Sequence, residues 1–478
     1  MSDSQLPSAP EPTMLDHDPW LGLVLGAALL TGVGFRLYGL EIFDLMGEET
    51  DTFIIARDDP GRYGLFSGYY WLIRLLMNQF GETPLVTRLP ALVLGVATLG
   101  VFYWAVRAVL GESVAVFASA LLAFSHWHVE QSQAATFYAA LFLFGTLFFS
   151  SVLIVLQWGE RRFLWVAVAS GGLAVLCQYA AALMFLPVAI YALLALALGG
   201  LTPGPDARRL LLRLVLILVV MALAPLPAVL GDLAAWLQQP AWGTMAWSLI
   251  PLLAVNLLSV PVFVGALVGL VCLFQHRQQV PALLLLSLSI VTVLLTLGIM
   301  GAVMNVAHQY LFGLMPLFYI AAGAFCATLY ERFRGDNPLI GLAPCALLVI
   351  ATLPQLLSYY LERENISEAV VLRDIVERAE PGDRLFGNVW SPLVDLSTLE
   401  VLDDPVPPYD GSFDWNGYLN EHFAAGGDPV WFAFQVPRSG ITPDLKRWLV
   451  AHTELVEERV SGRIDRRERV LSVWYRDG

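Results

Sequence analysis

The chain has 478 residues, of which 57% are hydrophobic and 14% charged, and its mean hydropathy is +0.65. That composition excludes an ordinary soluble domain and predicts a polytopic membrane protein. The net charge is −14, and residues 361–478 carry 22 acids against 13 bases, which excludes nucleic acid as a partner.

Residues 1–19 hold four acids and no base. They lack a basic n-region and a small-residue cleavage site, so the sequence predicts a short disordered tail on the cytoplasmic side rather than a signal peptide. A helix needs about 20 apolar residues to cross the hydrocarbon core. Eleven candidate spans follow, near 20–38, 90–109, 113–129, 134–157, 163–180, 182–199, 211–230, 250–274, 281–300, 309–330 and 338–358. The membrane domain is therefore expected over 20–360.

Arginines orient these spans. With a cytoplasmic N-terminus, the inner connections contain Arg107, "GERR" (159–162), Arg208 with Arg209 and Arg213, "QHRQQ" (275–279) and "ERFRGD" (331–336). The opposing connections "FSHWHVEQSQ", "CQYAA", "GDLAAWLQQP" and "GAVMNVAHQ" have no Arg or Lys. An odd number of spans then puts the C-terminal tail outside. Cys177, Cys272, Cys326 and Cys345 all fall in apolar segments, so no disulfide framework is implied.

The first outer connection, about 40–89, breaks the rule. It carries Arg57, Arg62, Arg74 and Arg88 together with eight acids. Its segment "GLFSGYYWLIRLLMNQF" is apolar but interrupted by Arg74, which suits an amphipathic helix in the interface better than a span. Within "DLMGEETDTFIIARDD" (44–59), the adjacent Glu48 and Glu49 could supply a general base or a metal ligand, or could be a solvated loop with a local Glu–Arg pair. Asp58 and Asp59 before Pro60 read as turn chemistry.

"FSHWHVEQSQAATFY" (124–138) gathers His126, His128, Glu130, Gln133 and Tyr138 between two spans. His126, His128 and Glu130 would share one face of an extended segment, but their spacing matches no known metal-ligand pattern. Polar side chains lining an outer cavity fit it better. In "AHQYLFGLMPLF" (307–318), His308, Gln309 and Tyr310 open a span at its outer end, as an aromatic belt or a headgroup contact.

The tail, 361–478, reads as a small α/β domain. Ser367 can cap a helix with apolar Val370, Val371, Ile375 and Val376, which "EPGD" ends. "RLFGNVW", "PVWFAFQV" and "RVLSVWYR" predict strands, and "TPDLKRWLVAHTELVEERV" (442–460) a helix with Thr442 as cap and Pro443 at its first position. The tail shows no phosphate loop, metal cluster or nucleophile motif.

Over its first 330 residues the chain resembles bacterial GT-C integral-membrane glycosyltransferases, of the glycosyltransferase family 39, or dolichyl-phosphate-mannose protein mannosyltransferase-like, group. Glu48-Glu49 open "EETDTFIIAR" as an Asp-Glu pair opens the family's first loop. "TRLPALVLG" (87–95) is similar to the family's Arg-Leu-Pro at the start of the second span. His128, Ser132, Gln133 and Tyr138 match its Ser-Pro-x-His-x-x-x-Ser-Gln stretch and following tyrosine, and Tyr310 and Pro316 its later Arg-Tyr-Leu and proline. The chain departs where Glu48 replaces Asp, where "GRYGLFSGYY" replaces His-Pro-Pro-Leu, where Ala134-Ala135-Thr136 replaces Glu-Ala-Arg, and where Gln309 stands in place of arginine.

The resemblance implies a mainly α, GT-C-like fold of about eleven transmembrane helices with a small extracytoplasmic α/β domain. It implies an inverting glycosyltransferase of the bacterial inner membrane, moving a sugar from a polyprenyl-phosphate-linked donor to a glycan, lipid or protein acceptor at the outer face. Glu48 would be the base, with Glu49 its neighbour in acceptor or divalent-cation binding. Arg57 or Arg88 would meet the phosphate. His128, Glu130, Gln133, Tyr138, His308, Gln309 and Tyr310 would line the substrate site. A non-catalytic membrane component of a glycan assembly system is the alternative. A lipid-linked sugar transporter fits less well, because the spans are almost free of ionisable groups.

Overall fold

The computed structural model describes residues 18–40, 45, 48–198, 205–223, 258–273, 312–313, 315–365, 368–387, 389, 391, 394–402, 414–423, 429–437, 443–460 and 469–476. The expected span 281–300, the caps Ser367 and Thr442, and His308, Gln309 and Tyr310 lie outside the described residues. The chain divides into two compact units, one of residues 1–38 and 55–356, the other of 39–54 and 357–478.

In the first unit, α1 (Pro19–Leu37) starts where the Asp18 carboxylate accepts from the Trp20 amide at 3.0 Å. Helix α2 (Glu48–Asp58) contains the unit boundary. The segment predicted to lie in the interface is a 3-10 turn, Gly64–Ser67, followed by α3 (Gly68–Phe80). Helix α3 buries Tyr69, Tyr70, Ile73 and Met77 and exposes Trp71, Leu72, Leu75 and Phe80.

Helix α4 (Pro84–Leu110) begins six residues ahead of Pro90. The Thr83 hydroxyl caps it by accepting from the Val86 amide, and Pro84 takes the first turn, where its missing N–H costs nothing. Gly111, with φ +91°, ends it. The expected span 113–129 is instead two helices, α5 (Glu112–Ala123) and α6 (His126–Gln133), split at Phe124 and Ser125. The Ser125 hydroxyl accepts from the His128 amide and starts the second. Then come α7 (Tyr138–Trp158), α8 (Arg161–Cys177), a 3-10 stretch Tyr179–Met184, α9 (Phe185–Leu198), α10 (Pro205–Leu223), α11 (Val260–Leu273), α12 (Pro316–Phe333) and α13 (Pro338–Asn365).

Four of the described helices are long and apolar enough to cross a membrane: Pro19–Leu37, Pro84–Leu110, Tyr138–Leu156 and Pro338–Leu361. Helix α5 is central, with every residue from Ala115 to Ala123 buried. It packs against α1, α4 and α12. Small residues permit the contact: a Cβ at Gly323 on α12 would stand 2.7 Å from the Ala118 Cβ. Close backbone approach of this kind is how helices associate where lipid removes the hydrophobic driving force.

In the second unit, α14 (Glu368–Arg378) leads into a five-stranded mixed sheet of order β2-β1-β3-β5-β4. Its strands are β1 (Arg384–Gly387), β2 (Glu400–Val401), β3 (Val430–Pro437), β4 (Glu454–Val460) and β5 (Arg469–Arg476). Strand β1 runs parallel to β2 and β3, while β5 is antiparallel to β3 and β4. Two helices complete the unit, α15 (Trp415–Phe423) and α16 (Pro443–His452). The period-2 alternation of strands sorts two cores. Trp431, Ala433, Leu471 and Val473 face Val371, Leu372 and Ile375 of α14. Phe432, Phe434 and Trp474 face Trp415, Leu419, Leu445 and Trp448 of α15 and α16. The single helix expected over 442–460 is a helix followed by β4. "ELVEERV" extends because it pairs with β5, and its Glu454, Glu457, Glu458 and Arg459 make a charged sheet edge that discourages further pairing.

Candidate active site

Glu48 and Glu49 lie in the first turn of α2 with Asp51, not in an irregular loop. Free N–H groups and the helix dipole favour negative charge there. Glu48 is exposed and Glu49 is buried, at 4% of its accessible surface, so the adjacent carboxylates occupy different surroundings. Both belong to the compact unit that contains the tail.

Arg57, in the last turn of α2, grips Asp58 with two parallel bonds, Nε to Oδ1 at 2.7 Å and Nη2 to Oδ2 at 2.9 Å. The bond to Arg57 holds the Asp58 carboxyl below its usual range. The Arg57 fork is thus engaged by its neighbour. Arg88 is fully buried in the second turn of α4. A buried guanidinium near the start of a helix suits an anion better than an exposed one, because little water competes.

A dense polar cluster lies at the α5–α6 corner. Helix α5 ends inside the bundle, where its last carbonyls have no water to meet and must find partners in the protein. Arg36, in the last turn of α1 and fully buried, donates from Nη1 to the Ala123 carbonyl at 3.2 Å and from Nη2 to that of Leu122 at 3.4 Å. Nη1 also donates to Gly32 at 2.7 Å. Thr352 of α13 donates to the Phe124 carbonyl at 3.4 Å, and the hydroxyls of Ser125 and Tyr319 of α12 meet at 2.6 Å.

His128, His126 and Glu130 lie on a helix rather than an extended segment. His126 and Glu130, one turn apart, share a face, and His128 points elsewhere. His128 Nδ1 stands 2.7 Å from Arg36 Nη2, and the Ser132 hydroxyl donates to the His128 carbonyl at 2.6 Å. Phe142 meets the imidazole edge-to-face with centroids 4.7 Å apart, and Phe312 lies 6.4 Å away. Helix α4 comes so close here that a Cβ at Gly95 would overlap the Ser132 hydroxyl.

Gln133 binds the end of α1, its amide nitrogen donating to the carbonyls of Phe35 at 2.8 Å, Arg36 at 3.3 Å and Tyr38 at 2.5 Å. Thr136, where the family pattern has arginine, donates to Gln131 Oε1 at 2.9 Å. Tyr138 is buried against Trp127 and Phe312, and Glu130 is half-buried. The structure therefore brings His128, Gln133 and Tyr138 together around α6 and the start of α7. Arg36, Ser125 and Tyr319 join them unannounced. Arg36 alone had a signal, a lone arginine ending an otherwise apolar helix.

The divalent cation implied by the resemblance needs several hard oxygen or imidazole ligands around one point. Among the described residues no three His, Cys, Asp or Glu side chains are grouped to hold one. The described residues do not fit the ion.

Residues 68–225 match the model of the dolichyl-phosphate-mannose-protein mannosyltransferase family. No curated protein matches the chain significantly. Among solved structures, ArnT from Cupriavidus metallidurans superposes with a TM-score of 0.53 at 15% identity, covering 95% of this chain and 98% of that one, both in its apo state and bound to undecaprenyl phosphate. The apo oligosaccharyltransferase of Archaeoglobus fulgidus gives 0.51 at 11% identity over 87% of this chain and 70% of that one. AglB of the same organism, in complex with an inhibitory peptide and a dolichol-phosphate, gives 0.50 at 11% over 91% and 72%. The chain is thus a multi-pass membrane protein that shares its fold with ArnT and the archaeal oligosaccharyltransferase, and its residues 68–225 match the model of the dolichyl-phosphate-mannose-protein mannosyltransferase family.

Proposed function

We propose that the chain transfers a sugar from a polyprenyl-phosphate carrier to an acceptor hydroxyl at the outer face of the cytoplasmic membrane, with inversion at the anomeric carbon. The observation that carries this reading is the match to ArnT over 95% of this chain and 98% of that one, with one ArnT structure bound to undecaprenyl phosphate. Glu48 takes the proton of the acceptor hydroxyl, which is otherwise a poor nucleophile. The new bond joins the acceptor oxygen to the anomeric carbon as the bond from that carbon to the phosphate oxygen breaks, and polyprenyl phosphate leaves. Glu49 orients the acceptor. Arg88 is the better phosphate partner, because it is fully buried, where little water competes for an anion. Glu130, His308, Gln309 and Tyr310 remain proposed substrate contacts, and a glycan, lipid or protein acceptor fits equally.

The placement proposed is a bacterial inner membrane, with about eleven spans over 20–360, residues 1–19 cytoplasmic and 361–478 an extracytoplasmic domain without chemistry of its own. Residues 39–54 and 357–478 form one compact unit, which supports placing the tail on the same face as the first outer loop. Replacing Glu48 with Gln keeps the size but cannot accept a proton at neutral pH. Turnover of a polyprenyl-phosphate sugar in membranes should fall by about 10²–10⁴-fold. Unchanged turnover in Glu48→Gln would put the base elsewhere, with Glu130 the next candidate, and unchanged turnover in the double Glu48→Gln/Glu49→Gln variant would make the loop structural. Absence of any turnover by the wild type would favour the non-catalytic alternative.

A further inference from the structure

We infer that His128 is a neutral hydrogen-bond donor to the carrier phosphate and that Arg36 is the positioning residue that fixes its tautomer. The inference rests on the polyprenyl-phosphate reading above. Arginine is always protonated and has no acceptor, so at 2.7 Å from Nη2 the His128 Nδ1 must accept. The imidazole proton is thereby confined to Nε2. The Ser132 hydroxyl, which also approaches Nδ1 at 3.2 Å, directs its own hydrogen to the His128 carbonyl at 2.6 Å.

His128 is 1% exposed, and its Nε2 is buried without a hydrogen-bond partner among the described residues. A buried unsatisfied donor is costly and calls for an explanation. The aromatic neighbours of the imidazole, Phe142 and Phe312, have hydrocarbon side chains with no acceptor oxygen or nitrogen. A single donor in such surroundings suits a ligand atom that only accepts. A sugar hydroxyl brings a donor that would also need satisfying, whereas a phosphodiester oxygen does not. The buried guanidinium of Arg88 lies on α4, about 10 Å along the helix from Gly95, where α4 meets Ser132 one turn beyond His128.

Two substitutions separate the two nitrogens. In His128→Asn the amide oxygen stands near Nδ1 and still accepts from Arg36, but the Nε2 donor is gone. In His128→Gln the amide nitrogen stands near Nε2 and the Arg36 contact is lost. Binding of sugar-free undecaprenyl phosphate to the detergent-solubilised full chain should weaken by about ten- to a hundredfold in His128→Asn, at unchanged thermal stability. His128→Gln should bind nearly as the wild type but unfold at lower temperature. If His128→Asn binds like the wild type, or if His128→Gln is the weaker binder, the inference falls. If the wild type itself does not bind undecaprenyl phosphate, the carrier reading falls with it. Wild-type protein labelled with ¹⁵N-histidine gives a check independent of any variant's folding. His128 should show a protonated Nε2 and a bare Nδ1, and Nε2 should shift most on adding the lipid. A protonated Nδ1, or no shift, overturns the assignment.

Discussion

At the scale of single residues, burial separates structural from chemical roles more sharply than residue type does. Arg57 and Arg88 look alike in sequence, yet one is half-exposed and doubly bonded to Asp58 while the other is fully buried. Arg88→Ala should therefore weaken undecaprenyl phosphate binding by at least about tenfold, whereas Arg57→Ala should change it by less than about threefold. Equal losses would restore Arg57 as a phosphate partner. Arg36→Met removes the donor that satisfies the Leu122 and Ala123 carbonyls inside the bundle. With buried acceptors orphaned at about 1–3 kcal/mol each, thermal unfolding in detergent should show a loss of about 3 kcal/mol. A loss within 0.5 kcal/mol, an ordinary surface effect, would mean the carbonyls find other partners.

At the scale of elements, the α5–α6 break decides where the chemistry-bearing side chains stand. Across the break at Phe124 and Ser125, Arg36 reaches both the end of α5 and His128 of α6. The contact of α4 with α6 at Gly95 and Ser132 sustains that placement. Gly95→Ala should overpack it at a cost of about 1–3 kcal/mol, read as a lower melting temperature. Adding Ser132→Gly should recover part of that loss, since it removes the clashing hydroxymethyl group. Non-recovery would locate the strain elsewhere. In the second unit, the "EPGD" turn is closed by buried Asp383, whose carboxylate accepts from the Trp431 indole at 3.0 Å and the Glu380 amide at 3.2 Å.

At the scale of the whole molecule, orientation governs every functional proposal. A reporter active only in the cytoplasm, fused after Gly478, should be silent, because residues 357–478 form one unit with 39–54, in the loop proposed to lie outside. An active reporter would put the tail inside and remove the outer-face site with it.

Hydropathy and arginine placement by themselves determined the membrane class, the positions of α1, α4, α7 and α13, and the helix–strand alternation of the tail, because these depend on local composition and period. The ordered matches at Glu48-Glu49, "TRLPALVLG" and "FSHWHVEQSQAATFY" determined the GT-C resemblance. Three things were decided only by tertiary structure. "ELVEERV" is a strand because β5 offers it a partner, although its local pattern also suits a helix. The span expected at 113–129 breaks at Phe124 because Arg36, Thr352 and Tyr319, distant in sequence, supply the partners that a helix end inside a bundle requires. The role of His128 was set by Arg36, 92 residues away, since a tautomer follows from what the other ring nitrogen meets and no local pattern records that.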